Sequence, residues 1–120
     1  MSAASFRTLT NTIQQTVMEE QGIPMIYGLD SVHGANYVRE GTLFPQQINQ
    51  AATFNRTATQ AAASIAAKDT KAAGIPWLFA PILGIATKPG WSRVYVFLPP
   101  LCSTSLSLMV THCAQVRDIW

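Results

Sequence analysis

Two short segments hold the side chains best able to do chemistry. The first is Tyr27-Gly28-Leu29-Asp30-Ser31-Val32-His33-Gly34, in which a carboxylate and an imidazole follow directly on an apolar run. An ionised carboxylate offers two acceptor oxygens, so Asp30 can hold neighbouring hydroxyls such as those of a sugar. The same group can instead close a turn on its own backbone. His33 can act as a base, a metal ligand or a structural hydrogen-bonding group. The other histidine, His112, stands far along the chain among few charges, so no metal site is expected. Ser31 lacks the Gly-x-Ser-x-Gly frame of a nucleophile elbow. No glycine loop of the phosphate-cradling kind occurs, and no cofactor is implied.

The second segment is Lys88-Pro89-Gly90-Trp91-Ser92-Arg93-Val94-Tyr95, preceded by Phe79-Ala80-Pro81. The guanidinium fork of Arg93 can donate to a ligand hydroxyl or carboxylate. Its alternative is a surface stack on the Trp91 indole.

These groups need elements to position them. Phe6, Leu9, Ile13 and Val17 recur at helical steps, which predicts a helix over about 5–21 closed by Gly22. Ile23-Pro24-Met25-Ile26-Tyr27-Gly28-Leu29 carries no charge and is apolar at odd and even positions, as in a strand buried on both faces. Residues 30–45 read as loop. An alanine-rich stretch over about 56–73 predicts a second helix, with Lys68 and Lys71 at its negative end and Gly74 closing it. Ile75-Pro76-Trp77-Leu78-Phe79-Ala80 then repeats the first strand, again opening with Gly-Ile-Pro. Helix, strand, loop, helix, strand is an α/β order that calls for a parallel sheet. Ligand residues in such sheets stand at the carboxyl ends of strands, where Asp30 falls.

Length limits what can follow. The chain has 120 residues and 13.0 kDa, whereas a closed (β/α)8 barrel needs roughly 250 residues. Two strands leave open edges, so the chain reads as part of something larger. Apolar residues make up 48% and charged residues 12%, with a net charge of +2 and no basic cluster. That composition argues against a disordered chain and against a nucleic-acid partner. The first residues show no apolar leader, and no apolar run reaches membrane-spanning length, so no membrane partner is expected and the compartment stays open. Cys102 and Cys113 form neither a disulfide framework nor a zinc spacing.

Taken in order, the motifs resemble the N-terminal barrel domain of glycoside hydrolase family three, whose members are mostly β-glucosidases and related exo-acting β-glucanases. The family pattern of Gly-Ile-Pro, an apolar strand, Gly-(Ile/Leu)-Asp, two residues and His-Gly is met over residues 22–34. Leu43-Phe44-Pro45 meets its apolar-Phe-Pro segment, residues 58–75 its alanine-rich helix, and Phe79-Ala80-Pro81 its Phe-Ala-Pro. Its Pro-(Arg)-Trp-Gly-Arg-apolar-Tyr run is met by Pro89-Gly90-Trp91-Ser92-Arg93-Val94-Tyr95, with Ser92 for the usual Gly and Lys88 for the Asp before Pro.

The resemblance implies a partial (β/α)8 barrel over 1–95, containing the first βα units only, and a β-glucoside or β-glucan substrate. It assigns Asp30 and Arg93 to a terminal glucosyl unit, and His33 and Trp91 to the support of that site. It also implies a retaining mechanism whose nucleophile and acid/base lie later than the matched region, so no catalytic residue is assigned here and the chain alone is expected to be inactive. Two alternatives stand beside it: a non-catalytic sugar-binding or interaction module, and the β-N-acetylhexosaminidase branch of the family. The latter favours Asp-x-Glu-Gly-Gly, against Asp30-Ser31-Val32-His33-Gly34 here. Residues 96–120 leave the pattern and nearly lose charge, so they are read as a non-homologous, poorly ordered tail from a shifted frame or a mis-joined gene model.

Overall fold

The computed structural model describes residues 1–82 and 84–98. Residues 99–120, which hold nearly all of the expected tail, lie outside the described residues.

Helix α1 spans Ala3–Gln21. It opens on Ser2, whose side chain accepts from the Ser5 N–H at 3.2 Å, and ends at Gly22 in the left-handed region with φ 68°. The expected apolar stripe is there but half covered: Phe6, Ile13 and Val17 are partly buried and Leu9 is exposed. α1 lies beside α3, Arg56–Ala72, and Arg7 donates to the Lys71 carbonyl across the gap at 3.3 Å.

α3 behaves as its alanines demand. Thr59, Ala62, Ala63, Ala66, Ala67 and Thr70 form a buried stripe at three- and four-residue steps, where small side chains allow close approach. Its start is capped by Asn55, whose Oδ1 accepts from the Ala58 N–H at 3.0 Å. Its end is a two-bond closure. Gly74 N–H donates to the Lys71 carbonyl at 2.9 Å and Ile75 N–H to the Thr70 carbonyl at 3.4 Å. That pairing, with Gly74 at φ 78°, is a Schellman motif, and it sends Ile75 straight into the core.

β1 (Gly28–Leu29) and β2 (Trp77–Leu78) pair in parallel, with Gly28 opposite Trp77 and Leu29 opposite Leu78. The parallel order matches the sequence reading, but the strands are shorter than expected. The expectation that the first strand is buried on both faces fails: Ile23 is 70% and Ile26 71% exposed, whereas Ile75 is 1% exposed. The cause is a single pairing. A two-stranded sheet packs one side on Leu29, Ala35, Val38, Ala73 and Ile75 and leaves the other without a cover among the described residues. Burying Ile75 contributes about 1.5–3 kcal/mol.

Between β1 and α3 lies a short helix that the sequence does not announce, α2 over Gln47–Ala52. A 3-10 turn over Val94–Val96 follows β2 after a long loop. Val96 and Leu98 are buried, and Leu98 packs with Ala51 of α2.

Candidate functional site

Asp30 is the first residue beyond β1 and is exposed. The parallel register fixes what stands beside it. Leu29 pairs with Leu78, and the Phe79 N–H donates to the Leu29 carbonyl at 3.0 Å. Both strands therefore release their chains at one edge, Asp30 from β1 and Phe79 from β2. The chain leaving β2 passes through the cis peptide Ala80–Pro81 and goes on to carry Trp91 and Arg93.

His33 has a structural task. Its Nδ1–H donates to the Phe44 carbonyl at 2.7 Å, while the Phe44 N–H donates to the His33 carbonyl at 2.8 Å. A neutral ring that donates through Nδ1 keeps Nε2 as an acceptor. The two bonds clip the ends of the loop that begins at Asp30. Gly34, within that loop, has φ 121° and bridges antiparallel to Leu43. These bonds are of the kind that the structural option for His33 calls for. Ser31 is 1% exposed, which seals its hydroxyl from any substrate in solvent.

Arg93 sits immediately before the Val94–Val96 turn and is exposed. Neither its guanidinium nor the Asp30 carboxylate is held by a partner among the described residues, and no ion pair joins the two. Among the described residues, both are therefore without a competing partner. The alternative of an Arg93–Trp91 stack is not realised. The indole instead meets the Phe97 ring nearly edge-on, at a centroid distance of 4.8 Å and 65°. Trp91 and Phe97, with Ile85, Lys88 and Val94, line a largely apolar open cavity of about 650 Å³. Trp91 thus forms a wall beside the Arg93 segment.

One residue that sequence reasoning missed is Gln47 of α2, which is buried. Its neighbours dictate the amide orientation: the nitrogen donates to the Val96 carbonyl and the oxygen accepts from the Ile82 N–H at 3.2 Å. Gln50, one turn on, donates through Nε2 to the Pro45 carbonyl at 2.7 Å. A glutamine in a six-residue helix carries no local signal of such long-range bonds.

Residues 2–97 match the family model for the glycosyl hydrolase family 3 N-terminal domain. The chain belongs to glycosyl hydrolase family 3. That domain is of the TIM-barrel type, and the described residues form a mixed helix and strand unit, not a closed barrel. Over 89 residues the chain is 60% identical to a lysosomal beta glucosidase of Dictyostelium discoideum. The match takes in 72% of this chain but 11% of that protein, so the chain spans about a tenth of the relative's length. The edge from which Asp30 departs is thus part of a family 3 domain.

Proposed function

We propose that this chain supplies the first sugar-gripping side chains of a β-glucosidase-type hydrolase acting on terminal β-glucosyl residues. The reading rests on one observation, the in-register parallel pairing that releases Asp30 and Phe79 from the same sheet edge. Asp30, exposed and without a partner among the described residues, accepts hydrogen bonds from adjacent ring hydroxyls. Arg93, on the segment leaving β2, donates to the same glucosyl unit, which satisfies both charges through one ligand. His33 holds the Asp30 loop closed. Trp91 offers an apolar wall of the kind against which a sugar ring packs.

Hydrolysis with retention needs two carboxyl groups about 5–5.5 Å apart across the scissile bond, one as nucleophile and one as acid/base. In this reading the acidic residues among the described residues do not supply that pair. Asp69 Oδ2 is engaged by the Thr42 N–H at 3.1 Å, and Glu19 and Glu20 lie on α1. Glu40 lies in the first loop. In this reading the reacting carboxylates belong to later parts of the family's barrel. The 120-residue chain then holds a glucosyl unit weakly and cleaves nothing by itself.

Calorimetric or NMR titration with glucose tests the binding half, comparing the native chain with Asp30→Ala. Native binding that the substitution abolishes supports the proposal. Equal affinity of the two chains, or no native binding at millimolar glucose, refutes it. Cleavage of an aryl β-glucoside by the purified chain would refute the division of labour between recognition and catalysis.

A further inference from the structure

We infer that Gln47 is a positioning residue that sets the Arg93 segment against the Asp30 loop. The inference rests on the reading that both side chains grip one sugar. Ile82 and Val96 lie near opposite ends of the segment that contains Trp91 and Arg93, and the Gln47 amide bonds to both. The same helix reaches the other loop. Gln50 donates to the Pro45 carbonyl at 2.7 Å, and the neighbouring Phe44 is clipped to His33 at both its N–H and its carbonyl. Ala51 packs on Leu98 just past the turn, so α2 is fixed to the second segment by apolar contact as well. A continuous path of bonds and packing therefore runs from the Asp30 loop through α2 to the turn after Arg93.

The chemistry of the bridge is specific. Gln47 is 4% exposed, so water cannot replace its partners freely. A carboxamide offers a donor for the Val96 carbonyl and an acceptor for the Ile82 N–H on one stem. Methionine fills the same space and makes neither bond. Glutamate keeps an acceptor for Ile82 but turns a second oxygen toward the Val96 carbonyl.

The test uses the ¹⁵N-labelled 120-residue chain. Three signals are read: amide exchange at Ile82, the Trp91 indole resonance, and glucose affinity. Thr70 and Ala73 amides report whether the core remains folded. In Gln47→Met, Ile82 exchange rises about tenfold, the Trp91 indole shifts, and glucose binding weakens about tenfold, with Thr70 and Ala73 still protected. In Gln47→Glu, Ile82 stays protected while the indole shift and the weaker binding persist. That split separates bridging from general packing.

Native values of Ile82 exchange and of the Trp91 resonance in Gln47→Met overturn the inference, even if glucose binding falls. If Gln47→Met loses core protection, Gln47→Glu decides, and a native Trp91 resonance there overturns it. If the native chain shows no response to glucose, the sugar-gripping reading fails. Ile82 and Trp91 then judge the bridge on their own.

Discussion

Replacing Gly34 with alanine tests how firmly the Asp30 loop is built. Gly34 has φ 121°, a backbone region that residues with a Cβ rarely enter. A Cβ placed there lies 2.1 Å from the Thr42 carbonyl oxygen and 3.2 Å from Leu43 Cα. Both are backbone atoms of the strand-like pairing with Gly34, so neither can swing aside. The conformation costs about 1–3 kcal/mol and the overlap about 1–3 kcal/mol, together roughly 2–6 kcal/mol. Gly28→Ala is the matched control. Its Cβ meets Phe79 Cε2 and Cζ at 2.7 Å, but those atoms end an exposed ring that can turn away. That substitution is expected to cost less than about 1 kcal/mol. Urea unfolding followed by circular dichroism gives both values against the native chain. A Gly34→Ala chain within about 0.5 kcal/mol of native, or one less destabilised than Gly28→Ala, refutes the reasoning.

Two further outcomes follow from single contacts. His33→Ala strips the Phe44 carbonyl of its side-chain donor and is expected to cost about 1–3 kcal/mol. Amide exchange should accelerate at Phe44 while Thr70 in α3 stays protected, and uniform acceleration would contradict a local clip. Asn55→Ala removes the cap of α3 at a cost of about 0.5–2 kcal/mol, read from the urea midpoint. The Trp91 indole resonance should not move, because the bonds of Asn55 run to Thr53, Ala58 and Thr59; a shifted resonance would count against it.

The long elements were legible because their signals are local. Phe6, Ile13 and Val17 at helical steps mark α1, and the alanines with Gly74 after them mark α3. The positions of the strands were legible and their burial was not. Charge-free runs such as residues 23–29 state a preference for being covered, but coverage depends on what lies alongside. Asp30 stood out because a carboxylate directly after an apolar strand falls at the carboxyl edge of a parallel sheet, although a turn closed on its own backbone would use the same residue. Gln47 did not stand out. Its partners are Ile82 and Val96, dozens of residues away, and nothing in Gln-Ile-Asn-Gln-Ala-Ala has the period of a helix that packs by apolar contact. A stack of Arg93 on Trp91 was one of two readings; the indole instead meets Phe97, since ring–ring contact competes well with an exposed cation.

The two Gly-Ile-Pro junctions act as an experiment that the chain performs on itself. The tripeptide follows a helix both times, with its glycine at positive φ both times. Yet within this chain the isoleucine at 75 is sealed while its twin at 23 is left uncovered by the described residues. Mutational tolerance should divide the same way, with polar residues accepted at the earlier copy and rejected at the later one. A substitution matrix indexed only by local sequence would score the pair alike and be wrong about one of them.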